Sequence, residues 1–328
     1  MRPGRPYEMP GWCRNVLDAA RLAPGEEVLV YVDEPLTEQG SQLATAVKEA
    51  GGKPTLELWV GDRPLAHAPP RILAAAKRAT LSLHLAQNPR ADEAAARFEV
   101  LETMTGHGGR SIYMGFVTPE LLERELSQPA ANVEEPARRL LAELEGSRSA
   151  RIRGRAGTDL TLRFEGRPWK SDALPLEPGG GANYPGGEVF IAPLKDGADG
   201  VLVADLTVPY TVDGLVDAPV TLRFERGRVV EISGGKAAQM LRELVADGGT
   251  GADVIAELGI GLNPTVTPRG HVMLDEKAAH TAHVAIGKNT GPYGGDNDAA
   301  IHVDCVFSAP ELEVDGRAVD LPIAPAPY

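Results

Sequence analysis

The residue types that can do chemistry are concentrated in the second half of the chain, and a histidine–aspartate pair near its end is the most informative. His302 and Asp304 lie two positions apart in the apolar stretch 301–307. Successive side chains of a strand alternate between its faces, so His302 and Asp304 point to one side if Val303 and Cys305 enter a core. Such a pair is often only the solvated face of a strand. It becomes a metal site when ligands from other segments join it.

Three other segments of the second half carry polar residues in apolar surroundings. Glu188 opens an apolar stretch after a Pro-Gly-Gly turn, and Glu257 lies inside an apolar run followed by glycines, which allow a close approach of the backbone. A third segment, "LDEKAAHTAHVAIG", carries Glu276, His280 and His283. Buried charges need partners, and divalent cations offset the repulsion among clustered carboxylates. The pattern predicts a metal site, with solvated or hydrogen-bonded side chains as the alternative; an H-E-x-x-H zinc helix is absent from the sequence.

Composition and charge restrict the class of protein. The 328 residues predict two domains, and a hydrophobic fraction of 43% is sufficient for a sizeable core. The formal net charge of −13 and the lack of a Lys/Arg run argue against a nucleic acid or an anionic membrane as partner. No apolar run approaches the ~20 residues of a membrane span. The N-terminus lacks the apolar core of a signal peptide, so we expect a cytoplasmic protein. Cys13 and Cys305 are predicted to be ordinary buried thiols.

The pattern of predicted helices and strands changes near residue 149. Residues 1–148 alternate strand and helix signals, which predicts an α/β N-terminal domain with a mainly parallel sheet. This part has no G-x-G-x-x-G loop, so we expect it to serve as a scaffold or a substrate wall. Residues 149–328 predict a strand-rich α+β domain, which we expect to be the metal-binding domain because the candidate ligands lie within it. Three hairpins and one helix are expected there, at 150–170, 187–208, 218–235 and 236–248.

Five motifs of the second half resemble the aminopeptidase T/aminopeptidase S family of metallopeptidases. They are "GRPWKSD", "NYPGGEVFIAP", "AELGIGLNP", "DEKAAHTAHVAIG" and "GGDNDAAIHVD", in the same order along residues 150–315. The resemblance implies a two-domain fold and a centre of two divalent metal ions, for which zinc, cobalt or manganese would suit the oxygen and nitrogen ligands. Matched residue by residue, it implies the metal ligands Glu188, Glu257, Glu276, His283, His302 and Asp304.

The same resemblance implies an activity. The expected reaction is removal of N-terminal residues from short peptides by an activated water, with a homodimer as the assembly. Glu188 or Glu257 is the expected proton shuttle, and Tyr293 is a candidate for stabilising the oxyanion. His271 and His280 match no ligand position of the family.

Two alternatives use the same residues. His283, His302 and Asp304 also form a two-histidine, one-carboxylate set, which suits a mononuclear Fe(II) oxygenase. Ring-cleaving dioxygenases of dihydroxypyridines resemble this peptidase fold, although the additional glutamates favour two metals. The other alternative is a degenerate member that binds a metal or a peptide without turnover, against which the complete ligand set argues.

Overall fold

The computed structural model describes residues 7–128, 130–173 and 175–321. Its helices are α1 (Gly11–Ala20), α2 (Thr37–Glu49), α3 (Pro70–Ala76), α4 (Ala94–Thr105), α5 (Pro119–Arg124), α6 (Glu134–Leu144), α7 (Lys236–Asp247) and α8 (Val272–Asp275). Its strands are β1 (Glu27–Asp33), β2 (Lys53–Trp59), β3 (Leu81–Ala86), β4 (Arg110–Gly115), β5 (Ser149–Gly154), β6 (Asp159–Arg163), β7 (Lys170–Ser171), β8 (Gly181–Asn183), β9 (Glu188–Ile191), β10 (Ala198–Ala204), β11 (Val220–Glu225), β12 (Arg228–Ser233), β13 (Ile255–Gly261), β14 (Thr281–Gly287), β15 (His302–Ser308), β16 (Pro310–Val314) and β17 (Arg317–Val319).

The first half forms a parallel sheet in the order β2-β1-β3-β4-β8, covered by helices on both faces. The residues of strand β1 explain why both faces are covered. Val28, Val30 and Val32 pack with α1 and α2, while Leu29 and Tyr31 pack with α3 and α4 on the other side. A strand buried on both faces reads as a continuous apolar run, as in parallel sheets generally.

The second half consists of two antiparallel sheets that share a core. One has the order β12-β11-β10-β6-β5-β16-β17, and the other has the order β15-β14-β13-β9-β7. Apolar residues of both sheets form one buried cluster, in which Leu162 and Leu202 of the first sheet meet Leu258, Val284 and Val303 of the second. The predicted combination of a helix-covered parallel sheet with strand-rich antiparallel structure is therefore confirmed.

Two of the three predicted hairpins are confirmed, and the third is wrong. Strand β5 pairs with β6, and β11 pairs with β12. The segment 187–208 instead sends β9 into one antiparallel sheet and β10 into the other. Alternating hydrophobicity indicates a strand but carries no information about its partner, and the connection 192–197 spans the two sheets.

The boundary between the halves is crossed by one strand. Strand β8 lies beyond residue 149 in sequence but pairs in parallel with β4 of the first sheet, with Ile112 opposite Ala182. The division into domains 1–148 and 149–328 stays a prediction. Cys13 and Cys305 are both buried free thiols, as predicted. None of the helices within the described ranges has the length and apolarity needed to cross a membrane.

Candidate metal centre

Strand alternation places the chemical residues on the face of the second antiparallel sheet that points away from the shared core. On β15, Val303 and Cys305 are fully buried in that core, and His302 and Asp304 lie on the opposite face. Neighbouring strands are in register with this arrangement, because Asp304 lies opposite Ala285 of β14, which in turn lies opposite Glu257 of β13. The shared face of His302 and Asp304 is thus explained by a common cluster.

Two groups of three side chains on this face are close enough to hold a metal ion. The first is Glu188, Glu257 and His283, and the second is Glu257, His302 and Asp304. Glu257 belongs to both, and its two oxygens are divided between them. Its Oε1 lies 3.6 Å from His283 Nε2, and its Oε2 lies 3.3 Å from His302 Nε2. We refer to these five residues as the ligand cluster.

The remaining distances within the cluster are similarly short. His283 Nε2 is 3.4 Å from Glu188 Oε2 and 3.9 Å from Asp304 Oδ1. His302 Nε2 is 3.3 Å from the same Asp304 oxygen. Four strands therefore contribute ligand-type atoms to one small volume.

Gly259 makes room for the His283 ring. These two residues are opposite each other on β13 and β14, and a Cβ at Gly259 would lie 2.1 Å from His283 Cε1 and 2.2 Å from Nε2. The sequence predicted that the glycines after Glu257 admit a close neighbour, and that neighbour is an imidazole.

A backbone carbonyl group on the side away from the cluster orients the His302 ring. Its Nδ1 lies 2.6 Å from the carbonyl oxygen of Lys288, which can only accept a hydrogen bond, so Nδ1 carries the proton. Once a bound cation displaces the second proton, Nε2 would offer a lone pair on the side that faces Glu257 and Asp304. A histidine that donates through one nitrogen and ligates through the other is the usual arrangement at protein metal sites.

Lys277 is a charged member of the site that the sequence analysis did not identify. It is fully buried, and its Nζ lies 2.9 Å from Asp172 Oδ2, 2.5 Å from Glu188 Oε1 and 3.0 Å from Glu276 Oε1. Asp172 Oδ1 also accepts hydrogen bonds from the backbone N–H groups of Gly187 and Glu188, which fixes the start of β9. The signal in the sequence was a lysine directly after Asp275 and Glu276 and directly before two alanines.

The charges of the cluster compensate one another. Burial lowers the pKa of His283, but Glu257, Glu188 and Asp304 raise it by more, to about 10. For Asp304, burial raises the pKa and the two histidines lower it by more, so that it falls below its usual range. Protonated imidazoles thus balance the negative charge of the carboxylates. A bound divalent cation would supply that positive charge and displace the protons.

The donor set fits a metal by a second criterion. Glu188 Oε2 is buried without a hydrogen-bond partner, although it faces the cluster, and a buried polar atom without a partner is costly. Carboxylate oxygens and imidazole nitrogens together suit zinc, cobalt, manganese or iron. The two ligand groups, which share Glu257, provide carboxylate oxygens and imidazole nitrogens that can coordinate a divalent cation.

The other predicted site residues are placed differently. Glu276 lies beside Lys277 and is a member of neither group of three. Tyr293 stacks on His302, with ring centroids 4.5 Å apart. Burial and the nearby carboxylates hold the pKa of the Tyr293 phenol well above its usual range, so it remains a donor. His271 Nε2 lies 2.5 Å from the Phe116 carbonyl oxygen, and His280 is exposed.

A cavity of about 200 Å³ lies over the cluster, between it and the parallel sheet. Glu188, Glu276, Tyr293, His302 and Asp304 form one side of it. The other side is aromatic, because neighbouring strands β1, β3 and β4 present a row of rings, Tyr31, His84 and Tyr113. The first half of the chain therefore contributes a wall of the site.

The chain joins a helix-covered parallel sheet to antiparallel sheets that carry a histidine–carboxylate cluster, a donor set typical of metalloenzymes. The model of the family described as "NicX: 2,5-dihydroxypyridine 5,6-dioxygenase" matches residues 8–320, so the chain belongs to this family. The predicted resemblance to the aminopeptidase T family is also confirmed. Aminopeptidase T of Thermus aquaticus is 32% identical over 185 residues, which is 50% of this chain. The aligned part spans only 44% of that relative's length.

Comparison with the dioxygenase branch extends further along the chain. The 2,5-dihydroxypyridine 5,6-dioxygenase of Pseudomonas putida is 28% identical over 229 residues, covering 65% of this chain and 63% of that protein. Its solved structure superimposes with a TM-score of 0.74 at 23% identity and covers 99% of both chains. The solved structure of AmpT from Thermus thermophilus gives 0.66 at 21% identity, with 94% and 96% covered. At these identities, the two structures establish the fold that both branches share.

Proposed function

We propose that the chain is a metal-dependent aminopeptidase with a centre for two divalent ions. The observation that carries the proposal is the division of Glu257, whose Oε1 faces His283 and whose Oε2 faces His302. A carboxylate that offers one oxygen to each of two ligand groups is suited to bridge two cations. A mononuclear centre of His283, His302 and Asp304 would leave Glu257, which is buried beside both histidines, without a cation of its own.

The residues have separate tasks in this proposal. Glu188, Glu257 and His283 would hold one ion, and Glu257, His302 and Asp304 the other. Bound ions would lower the pKa of a water to about 7 and polarise the scissile carbonyl. Glu188 and Glu257 each direct one oxygen towards His283, and one of these two carboxylates would transfer a proton to the leaving amine. The protonated phenol of Tyr293, which lies in the same cavity, would donate a hydrogen bond to the oxyanion.

The cavity restricts the substrate to a short peptide. Its volume of about 200 Å³ is below the ~300–1,000 Å³ of pockets that hold drug-sized ligands. A free α-amine would be accepted as a ligand by a bound ion, whereas the nitrogen of an acetylated amine has no available lone pair. Removal of one N-terminal residue at a time follows from these two limits.

The test combines metal analysis with hydrolysis of free and N-acetylated dipeptides. We expect two ions per chain, cleavage of the free dipeptides only, and at least about a hundredfold loss of kcat in Glu257→Gln, His302→Ala and Asp304→Asn. His280→Ala is the matched control, since His280 is exposed and outside the cluster, and it should retain activity. Cleavage of the acetylated dipeptides at the same rate would contradict the assignment.

A second candidate is a mononuclear Fe(II) ring-cleaving dioxygenase. The specific observation in its favour is the match of the NicX family model to residues 8–320, whereas the aminopeptidase relatives align with about half of the chain. His283, His302 and Asp304 would be the ligands, and Glu188→Gln should then be tolerated. An oxygen electrode with 2,5-dihydroxypyridine distinguishes the two. Oxygen uptake with one bound iron and no peptide cleavage would replace the first proposal by the second.

A further inference from the structure

One helix of the first half carries a cation into the cavity. Ala94, Arg97, Phe98 and Leu101 of α4 all line it, at the spacing i, i+3, i+4 and i+7 of a single helix face. Three of these side chains are apolar, as expected for a face that packs inward. Arg97 is the exception, and a guanidinium on such a face requires a reason.

Arg97 is held in place but carries no ion pair. Its Nη1 donates a hydrogen bond to the carbonyl oxygen of Arg90, at 2.8 Å. Glu93 is the carboxylate nearest in sequence, and it is engaged by Arg63 Nε at 2.7 Å and by the Leu65 N–H at 2.9 Å. Within the described ranges, no carboxylate forms an ion pair with Arg97, which is one of the residues that line the aromatic cavity.

Two tyrosines, Tyr113 and Tyr210, share the cavity with this guanidinium. A half-buried cation beside apolar rings is costly unless an anion joins it, because burial removes its hydration. A carboxylate matches the planar fork of a guanidinium and can accept two of its N–H groups at once.

We propose that Arg97, assisted by Tyr113 and Tyr210, is a specificity residue that binds a carboxylate of the substrate. The proposal rests on the proposed function and deepens it. Cationic and acidic groups line one small cavity: Arg97 comes from α4 of the first half, and Glu188, Glu276 and Asp304 come from the second half. A substrate that carries an amine at one end and a carboxylate at the other complements both. The chain is thus selective for dipeptides with a free C-terminus.

Kinetics on a matched substrate pair give the first test. For Leu-Gly, Arg97→Gln should raise KM about tenfold or more with little change in kcat, the magnitude typical of a lost charge-assisted hydrogen bond. For Leu-Gly amide, which lacks the carboxylate, KM of wild type and variant should agree within about twofold. Arg97→Lys should recover part of the loss for Leu-Gly, since it retains the charge but not the planar fork.

Direct binding gives a second test that does not require turnover. Benzoate and benzamide have the same shape and differ in charge, and either is small enough for the cavity. Titration calorimetry on the purified protein should show benzoate binding that weakens about tenfold or more in Arg97→Gln, and no such difference for benzamide. Arg139→Gln is the control, because Arg139 is exposed on α6, and it should bind benzoate like the wild type.

The outcomes separate this proposal from the proposed function. If peptides are not cleaved but benzoate binding depends on Arg97, the carboxylate site stands, and the substrate is an aromatic carboxylate or another small anion. If Arg97→Gln changes neither the KM for Leu-Gly nor benzoate affinity, or weakens acid and amide equally, the proposal is wrong. Thermal melts of the variants serve to exclude misfolding, and Arg97→Lys carries both tests if Arg97→Gln does not fold.

Discussion

Gly259→Ala is expected to damage the metal centre without changing a single ligand. The added methyl carbon would lie 2.1 Å from His283 Cε1 and 2.2 Å from Nε2, whereas non-bonded carbons approach to about 3.5 Å. The ring must therefore move by about 1.4 Å, the difference between 3.5 and 2.1 Å. Gly259 has no positive φ, so backbone strain does not contribute and the effect is steric.

A displacement of this size moves Nε2 away from Glu188 and Glu257. Loss of support for a ligand typically lowers metal affinity by about 10–100-fold, and a misplacement of about 1 Å lowers turnover about a hundredfold. Overpacking would also reduce the free energy of unfolding by about 1–3 kcal/mol. The assay is metal titration monitored by calorimetry, with thermal melts in parallel.

The control is a double-mutant cycle with His283→Ala. In that background the methyl group added at position 259 has no ring to meet, so Gly259→Ala should add little further loss of metal affinity. Affinity of Gly259→Ala within about twofold of the wild type would refute the steric argument. An equal loss in both backgrounds would refute the role of His283 in it.

Four further predictions concern the site, the core and the assembly. Chelation should lower the melting temperature, and added zinc, cobalt or manganese should restore it, since an ion that binds only the folded state stabilises it; an unchanged melt after verified metal loss would contradict this. Lys277→Met should reduce the free energy of unfolding by about 3–5 kcal/mol, measured by urea denaturation, because Asp172, Glu188 and Glu276 lose their buried partner; an effect below about 1 kcal/mol would mean that these carboxylates are protonated. Burial holds the pKa of His84 well below 6.5 in the folded state, so only the unfolded chain gains this proton below that pH. Stability should therefore be full above pH 6.5 and fall by up to about 2 kcal/mol at pH 5, and less in His84→Asn. Light scattering should give a homodimer, and a mass of 34.7 kDa, that of one chain, would contradict it.

Much of the ligand cluster could be predicted from the sequence because its signals are local. A strand alternates regardless of its partners, so the spacing of His302 and Asp304 places them together on one face. A charged residue in an apolar run, as at Glu257, also signals a buried partner. The confirmed hairpins at β5–β6 and β11–β12 depend on short turns, which bring neighbouring strands together without help from the rest of the chain.

Lys277 shows where the sequence was insufficient. Its position after Glu276 did not reveal that it reaches Asp172 and Glu188, since those residues lie about 90 or more positions earlier. The ion pairs depend on how β9 and the segment after α8 approach each other in space. The wrong hairpin at 187–208 has the same origin, because the partner of a strand is chosen by the packing of whole sheets.

The sequence by itself determined the fold class, the alternation that sets His302 and Asp304 on one face, and the family resemblance. These features depend on the period of the hydrophobic pattern, on the residues in turns and on residue type, all of which act over a few positions of the sequence. Only the tertiary structure decided that Glu257 divides its oxygens between two histidines, and that Arg97, about 160 positions earlier, lies in the same cavity. Such distances are set by the packing of the parallel sheet against the antiparallel one, to which every buried side chain contributes and which no local pattern encodes.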